Sequence, residues 1–370
     1  MAHDIDQRTQ DIDQDSNTAL ATLSTATDLA ALSRAETDQV TALVRLSKKP
    51  ATQTAYQSDL RQVAAWLLAE KPALAARVVQ TSDDEQGRAV ATLCGPLPVE
   101  AVLAYIVAAK TRLAYPSLRR HLASLSAFHQ LGGVANPCSD ALVRAALSGV
   151  RREQQHRPKR APAMRRRHLE TIVAQLAFAR DMASLRDYAL LLVGWAGALR
   201  RSELAALTWG DVTNDVEGIY LDLRGAKTDS GDEGQTVALP FANTAGLCPV
   251  RTLNRWQSVC IRHGLDLSTP EGRNTPVFCA ISTADNLQMG RGLTGQGVGD
   301  IVQRRAVQAG FEPGFFTAHS LRAGLITEAN AEGRSDLDIM ATSRHRSRDV
   351  FATYVRNGEA MRRAASKGLL

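Results

Sequence analysis

A basic segment interrupted by prolines, RREQQHRPKRAPAMRRRH at residues 151–168, divides the sequence into two parts. Eight of its residues are Lys or Arg, against the single acidic residue Glu153. A stretch with so few apolar side chains cannot form its own core and is typical of an extended linker. Since single cores stop growing near ~250–300 residues, this chain is expected to form two domains. We interpret the segment as either a solvated tether between the domains or a strap that lies along a phosphate backbone, and the motifs that follow it, described below, favour the strap.

The part before the linker shows the spacing of amphipathic helices. Apolar residues recur at i, i+4, i+7 and i+11 from Tyr56 to Leu67, and at i, i+4 and i+7 from Leu118 to Leu125. Further helices are predicted at about 98–111 and 139–148. Several short helices in succession form a compact bundle, so residues 41–150 are predicted to be a helical domain.

Residues 1–40 are polar, rich in Asp, and contain no aromatic side chain. They can bury little apolar surface and are predicted to form a disordered tail. Five Asp against one Arg give residues 1–17 a charge of −4, and because the whole chain carries +6, the rest carries +10. A basic body of this kind favours a polyanionic partner, of which nucleic acid is the commonest.

The part after the linker combines helices with a small sheet. Helical patterns run to about residue 208 and resume from about residue 249. Between them, apolar and polar residues alternate in GIYLDLRG and QTVALPF, as they do in strands. The polar tip AKTDSGDEG separates the two stretches, which predicts a β-hairpin. The predicted fold class is therefore mainly α with a small β-sheet, which lies in a mixed α+β domain at residues 169–358.

The cysteines and the apolar runs indicate the compartment. The five Cys are odd in number and show no C-x-x-C spacing, which supports neither a disulfide framework nor a zinc module. The longest apolar run, residues 188–199, is too short to span a bilayer. The acidic N-terminus lacks the basic and apolar regions of a signal peptide. We expect a cytoplasmic protein without membrane contact.

Two stretches in the second part carry side chains suited to phosphate chemistry. GALRRSELAAL places Arg200 just before a helix, with Ser202 as the expected N-cap and Glu203 in the first turn. TAHSLRAG places His319 and Arg322 three residues apart, on one helical face. Each pattern is common by chance, so neither identifies a site by itself.

A third stretch, ATSRHRSRDVFATYVRNG, places Tyr354 nine residues after His345 in basic surroundings. A phenol titrates near about 10, so it needs neighbouring cations or a base to act as a nucleophile at neutral pH. Alone, the stretch is more typical of a solvated basic helix whose tyrosine packs on a core. The order of the three stretches along the chain is more specific than any one of them.

In that order, with a lysine in the hairpin, the motifs resemble those of the tyrosine recombinase (phage integrase) family, of the simple two-domain type. The resemblance covers roughly residues 45–358 and includes TQTAYQSDLRQVAAWL and SLRRHLASLSAFHQLGGVANP in the first part. It implies a helical core-binding domain and a catalytic domain that form a C-shaped clamp on DNA. The catalytic residues that it implies are Arg200, Lys227, His319, Arg322, His345 and Tyr354, with Glu203 as structural support.

These residue types suit the implied reaction. Attack of a phenolate on a DNA phosphodiester places negative charge on the non-bridging oxygens, which the guanidinium groups of Arg200 and Arg322 can hold. Lys227 can protonate the departing 5′-oxygen while Tyr354 forms a 3′-phosphotyrosine. The reaction requires no cofactor and no metal, whereas a two-metal nuclease would need clustered carboxylates. The alternatives are a type IB topoisomerase that relaxes DNA and a non-catalytic DNA-binding regulator.

The sequence departs from the family pattern at two places. The usual Leu-Gly before the second histidine is Ser343-Arg344, and the small pair Ala323-Gly324 replaces the bulkier residues that commonly follow the H-x-x-R arginine. We expect both changes to affect packing more than chemistry.

The DNA contacts are expected from residues in the first domain and in the linker: Lys48, Lys49, Thr52, Arg119, Arg120, Arg151, Arg152, Lys159, Arg160, Arg165, Arg166 and Arg167. The resemblance further implies a double-stranded recombination site as substrate, a homotetramer on two paired sites, and association with the nucleoid. Residues 359–370 are predicted to form a short helix that contacts a neighbouring subunit, with a frayed terminus as the alternative.

Overall fold

The computed structural model describes residue 39 and residues 50–84, 87–154, 161–223 and 235–345. The chain divides into two compact units, the first at residues 1–158 and the second at residues 159–370. The described part is mainly helical with small antiparallel sheets, which confirms the predicted fold class. None of the helices in this part is long and apolar enough to cross a membrane. The predicted tail lies outside the described residues apart from residue 39, as does the segment 359–370.

The first unit is a helical bundle with one hairpin. Its helices are α1 (Pro50–Glu70), α2 (Pro72–Val78), α3 (Val99–Ala109), α4 (Tyr115–Leu131) and α5 (Ala141–Gln154). The periodic apolar residues face its core, where Val63, Leu67, Leu118 and Leu125 are fully buried. The helical periodicity therefore predicted α1 and α4 correctly, because the residues it selected are the ones that pack together.

The hairpin of the first unit was not predicted. Its strands are β1 (Val79–Asp83) and β2 (Ala89–Leu93), paired antiparallel with Val79 opposite Leu93 and Asp83 opposite Ala89. Four of the five β1 residues are exposed, so the strand lacks the alternation of apolar and polar residues that marks a half-buried strand. The purely helical description of this unit is corrected accordingly.

A buried polar network joins α1, α3 and α4. Asp59 is fully buried, and Arg120 donates from Nε and Nη2 to its two carboxylate oxygens at 2.9 and 2.7 Å. Ser124 Oγ donates to the same carboxylate at 2.9 Å, and His121 Nε2 lies 3.1 Å from it. The Tyr105 hydroxyl lies 2.6 Å from His121 Nδ1. Burial lowers the pKa of His121 in spite of the neighbouring Asp59.

The second unit surrounds the long apolar helix α7 with helices and two small sheets. Its helices are α6 (Arg166–Ala174), α7 (Met182–Ala196), α8 (Arg201–Ala206), α9 (Pro249–Arg262), α10 (Pro270–Asn274), α11 (Gly295–Gln308), α12 (Ala318–Ala331) and α13 (Asp336–Ser343). Its strands are β3 (Val212–Asn214), β4 (Gly218–Leu223), β5 (Gln235–Pro240), β6 (Cys279–Ile281) and β7 (Leu287–Gly292). Eleven of the fifteen α7 residues are buried, so this helix forms the centre of the core.

The predicted β-hairpin is present. Strands β4 and β5 pair antiparallel, with Gly218 opposite Pro240 and Leu223 opposite Gln235, while the tip at residues 224–234 lies outside the described residues. Strand β3 adds a third strand beside β4. A second hairpin, β6–β7, interrupts the region that was predicted to be helical from residue 249 onwards. Its strands are short, and glycines in β7 leave little apolar alternation to detect.

The linker is shorter than predicted at both ends. Helix α5 continues to Gln154, and helix α6 begins at Arg166, while residues 155–160 lie outside the described part. Met164 is fully buried, and its backbone N–H donates to the Ser320 carbonyl at 2.9 Å. The second end of the predicted linker is therefore part of the second unit's core.

The position of Met164 beside helix α12 explains why Gly324 replaces the bulkier residue of the family pattern. Trp195 Nε1 donates to the Met164 carbonyl at 2.7 Å. A Cβ atom at Gly324 would lie 2.0 Å from that carbonyl oxygen and 2.6 Å from Trp195 Nε1. A residue larger than glycine would therefore displace the Met164 segment from helix α12.

Candidate active site

The turn that carries Arg200 connects α7 to α8. Ala198 in this turn has a left-handed backbone, with φ at 46°, and Arg200 occupies the N-cap position of α8. Glu203, in the first turn of α8, accepts the Arg200 backbone N–H at 2.7 Å and also pairs with Nη1 of the same residue. Ser202 was expected to cap this helix and does not, because the helix begins one residue before it.

Helix α12 brings Arg322 to the same turn. The side chain is buried, and its Nη1 donates to the Ala198 carbonyl at 2.7 Å. His319 lies one turn earlier on α12 and is exposed to solvent. The H-x-x-R pair thus places one buried and one accessible side chain beside the Arg200 turn.

His345 follows the end of α13 and lies beside Arg322, in the same site as the Arg200 turn. Its Nδ1 lies 2.8 Å from Ser343 Oγ, a fully buried hydroxyl. Arg322 Nη2 lies 3.4 Å from one ring nitrogen and 3.5 Å from the other, so the guanidinium is not directed at either one alone. The structure therefore brings Arg200, Arg322 and His345 together, although they are far apart in the sequence.

Arg344 is a buried member of this group that the sequence patterns did not identify as functional. It ends α13 with a left-handed backbone, φ 55° and ψ 44°, and its side chain is 3% exposed. Its guanidinium donates to the carbonyls of Gly197, Ala198 and Thr342 at 3.0, 3.2 and 2.8 Å. It also donates to Glu203 Oε2 at 2.8 Å.

The arginines make the site strongly electropositive, and this charge contributes to the lowered pKa values of its titratable groups. Burial lowers the pKa of His345 to about 4, with Arg322, Arg200, His319 and Arg344 adding to the effect. The pKa of His319 is lowered by desolvation, and then by Arg322 and Arg200. Burial opposes ionisation of Glu203, but Arg344 and the hydrogen bonds from Arg200 outweigh it and lower its pKa. Both histidines are therefore neutral at pH 7, and Glu203 is ionised.

A cavity of about 340 Å³ connects His345 with the predicted hairpin. Its lining residues are Gln235, Thr236, Met340, Ala341, Arg344 and His345. Gln235 is the first residue of β5, directly after the hairpin tip. Lys227 in that tip and Tyr354 both lie outside the described residues.

The residues expected to bind DNA differ in their surroundings. Arg119, Arg151 and Arg152 are exposed, and Thr52 is half-buried. Lys48, Lys49, Lys159 and Arg160 lie outside the described part.

Several of the other arginines in this set have partners within their own unit. Arg120 binds Asp59 through both carboxylate oxygens, so its fork is occupied. Arg165 pairs with Glu328 at 2.9 Å, and Arg166 pairs with Glu170 at 2.9 Å. Arg167 Nε lies 3.2 Å from His168 Nε2. The exposed Arg119, Arg151 and Arg152 are therefore better placed for phosphate contact than Arg120 or Arg165.

Comparisons with known proteins place the chain in a family. A family model described as the phage integrase family matches residues 163–361. An integrase/recombinase xerD homolog from Selenomonas ruminantium is 30% identical over 269 residues, which covers 71% of this chain and 74% of the relative.

Two solved structures share the fold. The XerH site-specific recombinase bound to palindromic difH substrate superposes with a TM-score of 0.51 at 14% identity, covering 73% of this chain and 72% of that one. A variant of the Tn1549 transposon integrase in complex with transposon right end DNA gives a TM-score of 0.50 at 15% identity, covering 83% of this chain and 99% of that one. With the family match and the xerD relative, the chain belongs to the phage integrase family, the tyrosine site-specific recombinases, which are DNA strand transferases.

Proposed function

We propose that this recombinase cleaves DNA by attack of the Tyr354 hydroxyl on a phosphodiester, while Arg200 and Arg322 hold the non-bridging oxygens. The observation that carries the proposal is the arrangement at Ala198, whose carbonyl binds Arg322 and which lies two residues before Arg200. Two guanidinium groups held near one another suit the charge that grows on a phosphate during attack. A lysine cannot replace either fork, because it presents a point charge instead of two parallel donors.

The bond that breaks is the one between phosphorus and the 5′-oxygen, and Lys227 is proposed to protonate that oxygen. The cavity shared by Gln235 and His345 supports this role, because the strand that follows the tip begins beside the site. Tyr354 would then remain joined to the 3′-phosphate. A 5′-hydroxyl from a second strand can attack this ester and release the tyrosine, so no external energy source is needed.

The two histidines are proposed to act in their neutral forms. Since the pKa values of both His319 and His345 are lowered, each ring keeps one unprotonated nitrogen at neutral pH. His319, which is accessible, would accept the proton that leaves Tyr354. His345, oriented by Ser343, would donate a hydrogen bond to the phosphate.

The substrate is proposed to be a double-stranded recombination site held by both units, with four subunits assembled on two paired sites. The enzyme would then act on nucleoid DNA in the cytoplasm. The basic charge of +10 outside residues 1–17 supports binding to a polyanion.

Residues 359–370 are proposed to link the subunits by docking on a neighbouring second unit. An open cavity of about 650 Å³ in the second unit supports this contact, and its lining includes Leu169, Trp195, Phe241 and Leu325. A short helix with apolar side chains such as Met361 and Leu369 would bury them in such a cavity.

The test is covalent trapping on a nicked suicide substrate that carries the protein's own recombination site, first identified by nuclease protection. Wild-type protein should form an adduct on the 3′-phosphate, and the adduct peptide should contain Tyr354. The Tyr354→Phe variant should bind the site within a few fold of wild type and form no adduct. An adduct at wild-type level with this variant would contradict the assignment of Tyr354. Relaxation of supercoiled DNA by a monomer, without strand exchange between sites, would contradict the proposed recombination in favour of a topoisomerase.

A further inference from the structure

Arg344 occupies a backbone conformation that an arginine rarely adopts. The residue after a helix commonly has a left-handed backbone, and glycine is the usual residue there because it has no Cβ. The family pattern has a glycine at this place, and Arg344 has φ 55° and ψ 44°. A side chain that persists at an unfavourable backbone position must be held by its contacts.

Those contacts connect two separate segments of the active site. On one side, Arg344 is the residue directly before His345. On the other, its guanidinium binds Gly197 and Ala198 in the turn before Arg200, and it binds Glu203 after that turn. Its Nη2 donates a hydrogen bond to the Ala198 carbonyl, which also accepts a hydrogen bond from Arg322.

Glu203 is the link through which Arg344 reaches Arg200. Glu203 Oε2 accepts both the Arg200 backbone N–H and Arg344 Nη2, while Oε1 pairs with Arg200 Nη1. The carboxylate is 7% exposed, so it must be paired to stay ionised. Without Arg344, the only cation in contact with Glu203 among the described residues would be Arg200 itself.

We propose that Arg344 is a positioning residue that holds Glu203 and the Ala198 turn, and thereby fixes the Arg200 guanidinium relative to Arg322 and His345. Its Nη1 and Nη2 are held by backbone carbonyls and by the Glu203 carboxylate, so we assign it a role through these groups and not on the phosphate itself. This role rests on the proposed function, in which Arg200 binds the scissile phosphate. The family's glycine cannot perform it, so this chain has a second support for Arg200 that the usual motif lacks.

The role gives a pH signature that a merely structural residue would not. The charged groups around Glu203 are Arg200 at the start of its own helix, Arg344 from the end of α13, and Arg322, which binds the Ala198 carbonyl; the titratable His345, which is neutral at pH 7, lies next to Arg322. Arg344 is the largest influence that lowers the pKa of Glu203 against its burial. Removal of Arg344 raises the pKa of Glu203, so Glu203 becomes protonated at a higher pH. The protonated carboxyl group then binds Arg200 more weakly.

The experiment measures single-turnover cleavage of the suicide substrate from pH 5 to 9 at saturating DNA. Arg344→Met should cleave at least about tenfold more slowly at pH 7.5, and it should gain an acid limb within this range, in which wild-type Glu203 stays ionised. Combined with Glu203→Gln, the substitution should add no such limb, because the carboxylate that titrates is gone. Arg344→Lys should keep the wild-type pH dependence at a reduced rate, because the charge remains and the fork is lost. Arg262→Met, which removes an exposed arginine at the end of α9, serves as the matched control and should cleave like wild type.

A wild-type rate without an added acid limb in Arg344→Met would overturn the proposal. If that variant gives no cooperative melting transition, Arg344→Lys decides instead, and a wild-type rate in the folded Lys variant would contradict the role of the fork. Adduct formation by the wild-type protein is scored separately. If wild type forms no adduct, the proposed function is refuted. If wild type forms the adduct and Arg344→Met cleaves at the wild-type rate with the same pH dependence, only the role of Arg344 is refuted.

Discussion

Arg322 and Ala198 are joined by a hydrogen bond of 2.7 Å that spans 124 positions of the chain. Ala198 has a left-handed backbone, and its carbonyl also accepts from Arg344 at 3.2 Å. The turn before Arg200 is thus held from helix α12 and from the end of α13. These contacts hold the turn that carries Arg200 against the side chain of Arg322, as the proposed mechanism requires.

The first prediction concerns the fork of Arg322. In Arg322→Lys, one ammonium cannot both bind the Ala198 carbonyl and present paired donors to a phosphate. We expect the single-turnover cleavage rate to fall by more than about tenfold, while DNA binding stays within a few fold. Arg262→Lys, at an exposed position at the end of α9, is the control. A loss smaller than tenfold would count against a phosphate contact by Arg322.

The second prediction separates proton donation from DNA contact at Lys227. Lys227→Ala should strongly slow cleavage of ordinary DNA, because the 5′-oxygen would leave without a proton. A substrate with sulfur at the bridging 5′-position has a leaving group that needs no proton, so its cleavage should be nearly normal. The two cleavage rates are compared in single-turnover experiments. Equal defects on the two substrates would reduce Lys227 to a binding residue.

The third prediction follows from the pKa of His345, which is lowered to about 4. In the unfolded chain a histidine titrates near about 6.5, so between these values the unfolded state binds the extra proton. The stability that neutral His345 contributes is therefore present above about pH 6.5 and is lost as the pH falls towards 4. Thermal melting across this range should show a steeper acid loss in wild type than in His345→Gln. Parallel melting curves for the two proteins would show that His345 titrates normally.

The fourth prediction uses two adjacent arginines of α4. Arg119 is exposed, whereas Arg120 binds buried Asp59 through both carboxylate oxygens. Arg119→Gln should weaken site binding and reduce the slope of log K against log salt by about one unit, without changing the urea midpoint. Arg120→Gln should lower the free energy of unfolding by about 2 kcal/mol, because it removes charged hydrogen bonds. The reverse pattern would make Arg120 the phosphate contact.

Local patterns in the sequence predicted those elements whose burial follows a helical or strand period. Helix α1 shows this well, because the residues at its apolar spacing are the ones that reach the core. The β4–β5 hairpin was also predicted, since its inward residues alternate with exposed ones. Strand β1 carries mostly exposed residues, and therefore it gave no such signal.

The site was predicted only as far as its members lie in recognisable motifs. The order of the motifs singled out Arg200, Arg322 and His345, and the structure places them together. The contact between Arg344 and Glu203 joins positions 141 residues apart, and no local spacing could reveal it. In the sequence, the arginine at this place is only a departure from the family pattern, which predicts an effect on packing. Its buried guanidinium, visible only in three dimensions, indicates a larger role.

The long separation of these contacts also has a consequence for synthesis on the ribosome. Chains are made from the N-terminus, and domains fold largely as they emerge. The first unit and the Arg200 turn are therefore complete long before Arg322 and Arg344, which hold that turn, have been translated. Loops of more than a hundred residues must close before the guanidinium groups face one another. If the first unit binds DNA as proposed, a nascent chain could do so while the groups proposed to break a strand are still unassembled, so the order of translation would delay cleavage until Arg322 and Arg344 have been made.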